Sequence, residues 1–128
     1  MRIIPIDRKP FPPIRFGMKS ILKTEWLNGN MPNVKYDIGG NLLTKENVTN
    51  GHMLPKSKGG TNELKNLTLE SLPYNMMKGN KPFSWFFDTK HFMQYCDEVA
   101  KVKLPNFNGL EYVKGIIENA FNLLKEKK

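Results

Sequence analysis

Asn50-Gly51-His52-Met53-Leu54-Pro55-Lys56-Ser57-Lys58-Gly59-Gly60-Thr61-Asn62-Glu63-Leu64-Lys65-Asn66-Leu67, with its continuation Asn75-Met76-Met77-Lys78-Gly79-Asn80, is the stretch from which the fold is read. Residues Asn47 to Leu54 have strand character, and Pro55 forces the chain to change course. A loop over Lys56 to Asn62 follows, with Gly59 and Gly60 free to take backbone angles closed to other residues. Asn66 to Glu70 reads as a second strand, because Leu67 and Leu69 then share one face. Ser71 to Asn80 reads as a helix, with Pro73 in its first turn and Gly79 at its end. The order is strand, loop, strand, helix.

Upstream, Asn30 to Asn41 is rich in turn formers around Val34 to Ile38, a short strand or extended loop. Met18, Ile21, Leu22 and Trp26 fall on one helical face, and Asn28-Gly29 stops that helix. Residues 1–16 hold Pro5, Pro10, Pro12 and Pro13 among Arg2, Arg8, Lys9 and Arg15, so an extended basic arm is expected. Downstream, Asp88 can cap a helix whose Phe92, Tyr95, Cys96 and Val99 line one face, ending before Pro105. Asn108 with Glu111 starts a last helix, with Val113, Ile116, Ile117, Ala120, Phe121 and Leu124 as its apolar stripe.

The 128 residues fit one domain, 1–128, divided into an arm and helix over 1–30, a core over about 44–81 and a helical part over 83–128. Cys96 is the only cysteine, which excludes an internal disulfide and a zinc site built from paired thiolates. No apolar run suits a signal peptide or a membrane span, so a cytoplasmic protein of a bacterial cell or phage-infected host is expected, with no membrane partner. A formal charge of +8 favours a polyanionic partner, nucleic acid first, although many small proteins are basic for solubility alone.

The segment from Asn50 to Leu67, continued through Asn75 to Asn80, resembles the centre of the HNH endonuclease motif. In that family a His after an acidic residue closes the first strand. A Ser-Lys-Gly-Gly type loop and an Asn-Leu pair follow, and a final Asn or His before Lys-Gly lies on the helix. The match covers roughly a quarter of the chain, a fraction large enough for its order and spacing to count. It implies an α+β fold with a ββα-metal (HNH) core, flanking helices and the N-terminal arm. It also implies a metal-dependent endonuclease acting on DNA, expected to be double-stranded, of the kind found in phages and mobile elements. His52 would be the general base, Asn66 would hold the imidazole, and Asn75 would offer its amide oxygen to Mg²⁺ or Mn²⁺. Lys56, Lys58, Gly59, Gly60, Lys65 and Lys78 would meet the phosphates.

The chemistry suits these residue types. Cleaving a phosphodiester needs an activated water, charge stabilisation on phosphate and support for the departing oxygen. An imidazole titrating near ~6.5 accepts a proton at neutral pH. Outside the motif a lone His on a strand is ordinarily structural, Asn is ordinarily a turn or cap residue, and lysines are ordinarily solvated; His91, with no motif around it, is expected to be structural.

Two positions depart from the family pattern. Gly51 stands where an acidic metal ligand is usual, and a neutral amide alone holds a divalent ion poorly. Three alternatives follow: Asn50, Asp37, Glu46 or Glu70 substitutes, the substrate phosphate supplies the oxygens, or catalysis is lost, leaving a module that binds nucleic acid or a protein partner. Ser71 and Tyr74 occupy places where many relatives carry zinc-binding cysteines, so no structural zinc is expected.

Overall fold

The computed structural model describes residues 14–125, a mixed α+β arrangement of helices around small antiparallel sheets. Helix α1 (Ile14–Leu27) starts where the extended arm was expected still to run; Pro13 is the last of the N-terminal prolines, and nothing from Ile14 onward breaks a helix. The rest of that arm lies outside the described residues. Asn28 and Gly29 end α1, Gly29 at the positive φ of 81°. Leu22 is fully buried, and the Trp26 indole donates to the Val34 carbonyl at 2.7 Å.

No strand forms between Val34 and Ile38; only a single bridge joins Tyr36 to Leu42. The reason is Asp37, buried at the centre of the turn. Its Oδ1 accepts from the backbone N–H groups of Gly39 and Asn41 at 2.9 and 2.8 Å, which bends the chain back on itself. Its Oδ2 accepts from the Ser71 N–H at 2.9 Å and so fastens this loop to the motif segment.

Strand β1 (Val48–His52) pairs antiparallel with β2 (Leu67–Ser71), in the register Thr49↔Glu70, Gly51↔Thr68, His52↔Leu67. Directly opposed residues share a face, so Thr49, Gly51, Thr68 and Glu70 lie together on one side. Helix α2 (Leu72–Lys78) covers that side, its Asn75 and Lys78 bonding to Thr49 and Glu70. Its start and stop are as the sequence indicates: Ser71 caps the Tyr74 N–H, proline sits in the first turn and Gly79 closes the end.

Leu67 and Leu69 fill the opposite face, both at 0% exposure, and a two-stranded sheet leaves β2 a bare edge there. Helices α4 (Thr89–Ala100) and α5 (Gly109–Lys125) close it. The Leu69 N–H donates to the Tyr95 hydroxyl at 3.0 Å, Tyr95 meets the Tyr112 hydroxyl at 2.8 Å, and Tyr112 donates to the Leu67 carbonyl at 2.7 Å. Every backbone group in that chain is satisfied without water. Burial pushes both tyrosines above their ordinary pKa, which keeps the hydroxyls protonated as the chain requires.

Asp88 caps α4 and Asn108 caps α5, as their spacing predicts. Phe92, Tyr95, Cys96 and Val99 are buried, as are Val113, Ile116 and Ala120. Phe121, assigned to the apolar stripe, is instead 66% exposed, because α5 contacts the core over a narrower arc than its hydrophobic pattern spans. Two elements carry no sequence expectation. One is the single turn α3 (Phe83–Phe86), whose Phe83 packs against Phe87 and Phe92; the other is the hairpin of β3 (Lys103–Leu104) and β4 (Phe107–Asn108) between α4 and α5. No helix among the described residues is long and apolar enough to cross a membrane.

Replacing Tyr95 or Tyr112 by Phe leaves a buried backbone group of β2 without its partner. Each is expected to cost about 1–3 kcal/mol in denaturant unfolding. The double substitution should cost less than the sum, since the hydroxyls form one chain.

Candidate functional site

His52 ends β1, half exposed, where the strand runs into Met53-Leu54-Pro55. Its backbone is clamped on two sides: Lys78 Nζ donates to the His52 carbonyl at 2.9 Å, and the Met53 N–H donates to the Asn66 carbonyl at 2.8 Å. The ring is held by Asn62, whose Oδ1 lies 2.9 Å from Nε2. An amide oxygen can only accept, so in this orientation Nε2 carries the proton and Nδ1 is the basic nitrogen. Asn66, expected to hold the imidazole, does so only through the backbone. Its side chain accepts from the Leu54 N–H at 2.8 Å and donates to the carbonyls of Leu54 and Thr61 at 3.0 and 2.9 Å. It is therefore the brace that shapes the loop following His52, and it is itself held by Asn119 of α5 at 3.1 Å.

The loop has the form its glycines allow. Lys56–Lys58 makes one 3₁₀ turn, ended by Gly59 at φ 96° in the left-handed region. A Cβ on Gly60 would lie 1.7 Å from the Leu54 carbonyl oxygen, so only glycine permits this close return. Lys56, Lys58 and Lys65 are exposed, Lys65 with its ammonium 3.8 Å from Glu63 Oε1. Lys78 differs from that expectation: it is 5% exposed, and its ammonium is 2.7 Å from Glu70 Oε2. It belongs to the floor of the site, because α2 turns this side chain inward over β2.

Glu70 explains what surrounds Gly51. The Glu70 carboxylate lies against the glycine, so that a Cβ on residue 51 would come within 2.1 Å of both its Cδ and Oε1. Oε2 accepts from Lys78 and, at 2.9 Å, from the Thr68 hydroxyl. Oε1 is buried and has no hydrogen-bond partner among the described residues. Burial raises the Glu70 pKa, opposed by the Lys78 charge and by the hydrogen bonds from Lys78 and Thr68.

The other substitutes considered for position 51 stand elsewhere. Asp37 is committed to its own turn and Glu46 is exposed before β1, while Asn50 projects to the other face of the strand from Gly51. Asn75 is placed on α2 by its Nδ2, which donates to Thr49 Oγ1 at 2.9 Å; that hydroxyl in turn donates to the Glu70 carbonyl at 2.8 Å. The structure thus brings His52, Asn62 and Asn66 together around the loop, and Glu70, Lys78 and Asn75 together under α2.

Sequence reasoning missed Asn62 as the ring's partner. Glu70 it raised only as one of four acidic or amide candidates. With the register known, Glu70 becomes legible: Gly51 opposes Thr68, and residue 70 is the next on the same face. His91 pairs with Asp88 at 3.0 Å, a local contact within the α4 cap.

A surface cleft of about 390 Å³ lies away from these residues, between the Asn33–Asp37 segment and α4. It contains none of the motif residues. Among the described residues, no cluster of three His, Cys, Asp or Glu side chains is arranged to hold a metal ion. No family model, curated protein or solved structure matches the chain.

Asn66→Ala removes the partner of the Leu54 and Thr61 backbone groups while sparing the imidazole itself. The expected loss is on the order of 3 kcal/mol, with faster hydrogen exchange at the Leu54 amide. Unchanged exchange there would show that the loop holds its shape without this side chain.

Proposed function

We propose that the protein is an HNH-type endonuclease with a ββα-metal core, hydrolysing DNA phosphodiester bonds with His52 as general base. The observation that supports this best is the state of the imidazole. It is half exposed at a strand end, its Nε2 is occupied by Asn62, and its Nδ1 is left as the basic nitrogen beside a loop of exposed lysines.

In this mechanism Nδ1 takes a proton from water as the water oxygen bonds to phosphorus. The bond from phosphorus to the 3′-oxygen breaks, and the leaving oxygen is protonated from solvent. Asn62 keeps the ring in one tautomer, and Asn66 keeps the loop behind it from collapsing onto the phosphate. Lys56, Lys58 and Lys65 attract the backbone, and Gly59-Gly60 lets main-chain N–H groups approach it.

The residues under α2 do not fit Mg²⁺ or Mn²⁺ as a resident ion: the Glu70 carboxylate is 0% exposed and already paired with the Lys78 ammonium at 2.7 Å, so neither water nor substrate phosphate reaches it. Asn75 is anchored through its nitrogen, which leaves its amide oxygen as the donor end, and a neutral amide alone holds a divalent ion poorly. A divalent ion would have to come with the substrate phosphate, where it would support the charge on the phosphate and the departing oxygen.

A second reading, a module that binds DNA without cutting it, is favoured by one feature: the Lys78 ammonium already neutralises Glu70. Plasmid nicking in Mg²⁺ or Mn²⁺ separates the two. The native chain should nick, and His52→Ala should reduce the rate by about 10²-fold or more. Binding without nicking by the native chain would leave the second reading standing.

The lysines give an independent check. Duplex affinity should fall steeply with salt, and Lys56→Ala with Lys58→Ala should each lower the slope of log K against log salt by about 1. An affinity indifferent to salt would argue against a phosphate-binding loop.

A further inference from the structure

One positive charge is built into the floor of the site. Lys78 leaves the last turn of α2 and is 5% exposed, and its ammonium lies 2.7 Å from Glu70 Oε2 and 2.9 Å from the His52 carbonyl oxygen. Those oxygens belong to the two strands of the ladder, so a single charge joins β2 to the end of β1 that bears His52. We infer that the Lys78 ammonium is the resident cation of this site and the residue that positions the His52 strand end, the work a protein-bound divalent ion would otherwise do there. Any divalent ion the reaction uses then belongs to the DNA phosphate and not to the free protein. The inference rests on the reading of His52 as general base.

Three observations carry it. First, the partners are those a cation takes: an anionic carboxylate oxygen, a neutral carbonyl oxygen and, 6.0 Å away, the face of the Tyr74 ring. Second, the space is already filled. Glu70 is 0% exposed and packs against Gly51 so closely that no side chain fits at residue 51. Mg²⁺ sheds its water reluctantly and has no hydrated way in, whereas an ammonium on its own stem is carried to this place as α2 docks. Third, the hold is on the main chain of the residue whose ring is to act. Lys78 fixes the His52 carbonyl and the Asn66 carbonyl fixes the Met53 N–H, so the ammonium reaches the imidazole through the backbone of residue 52.

The test removes the ammonium and returns it as a separate molecule. Lys78→Ala deletes the equivalent of propylammonium, so propylammonium chloride is the guest, with sodium chloride at equal ionic strength as the control. Lys78→Ala should melt roughly 10–20 °C below the native chain, because a buried carboxylate is left alone. Propylammonium should raise that melting temperature to a saturating limit and leave the native chain unchanged. Lys78→Ala with Glu70→Gln should melt above Lys78→Ala and ignore the guest, since no anion is left to receive it. If Lys78→Ala does not fold by itself, propylammonium should fold it.

Nicking kinetics separate positioning from stability alone. At a temperature where the variants are folded, Lys78→Ala should lose up to about 10²-fold in kcat with KM for the duplex unchanged, and propylammonium should restore kcat. Electron paramagnetic resonance of Mn²⁺ should show no uptake at this site by the free native chain at millimolar concentration.

The inference is overturned if the free native chain binds Mn²⁺ in a way that Glu70→Gln abolishes, if propylammonium neither stabilises nor folds Lys78→Ala, or if folded Lys78→Ala nicks with the native kcat. Any of these beside His52-dependent nicking would sink this inference alone. A native chain that never nicks, with melting of Lys78→Ala rescued by the guest, would sink the nuclease reading and leave the ammonium as the cation of the site.

Discussion

The buried ion pair between Glu70 and Lys78 is the interaction on which the centre of the molecule depends. Bringing a carboxylate and an ammonium into an interior costs several kcal/mol per ion, and close contact offsets that cost only with good geometry and further hydrogen bonds. Here the contact is 2.7 Å, and Thr68 and the His52 carbonyl supply bonds to the two partners. The pair has room only because residue 51 is glycine. One omitted side chain on β1 thus decides where the charge on β2 goes, how α2 lies over the sheet, and where the strand end bearing His52 is held.

Around that centre the protein uses polar staples where larger folds use more sheet. A two-stranded sheet has little of its own to hold it, and three devices supply the rest. Asp37 ties the preceding loop to Ser71, Asn66 cross-links the loop after His52, and the Tyr95–Tyr112 hydroxyl chain closes the free edge of β2. Each satisfies backbone groups that would otherwise be buried unpaired. Asp37 and the tyrosine chain also join segments far apart in sequence, so the strand, loop, strand and helix are held in part by elements outside them. The helical material after residue 83 serves the site in this way: Asn119 of α5 braces Asn66, and Tyr95 and Tyr112 brace β2.

Much of this was legible because its signals are local. Pro55 ends a strand, Ser71, Pro73 and Gly79 bound a helix, and Asp88 and Asn108 cap two more; each acts within a few residues of itself. The position of His52 at a strand end and the glycine turn after it were readable for the same reason. What was not legible depends on register and packing. Asn62 looks like any loop asparagine until the loop folds back on His52. Glu70 looks like a surface residue of a short strand until the ladder places it against Gly51, and Lys78 looks like one more basic side chain until α2 turns it inward. Phe121 misled in the opposite direction, since hydrophobic periodicity shows which face of a helix is apolar but not how much of that face finds a partner.

The most direct measurement is a crystal structure of the full chain. The account predicts the Glu70 carboxylate packed against Gly51, with one oxygen on the Lys78 ammonium and the Thr68 hydroxyl. A Glu70 side chain turned to solvent, or a Lys78 ammonium directed away from it, would contradict it.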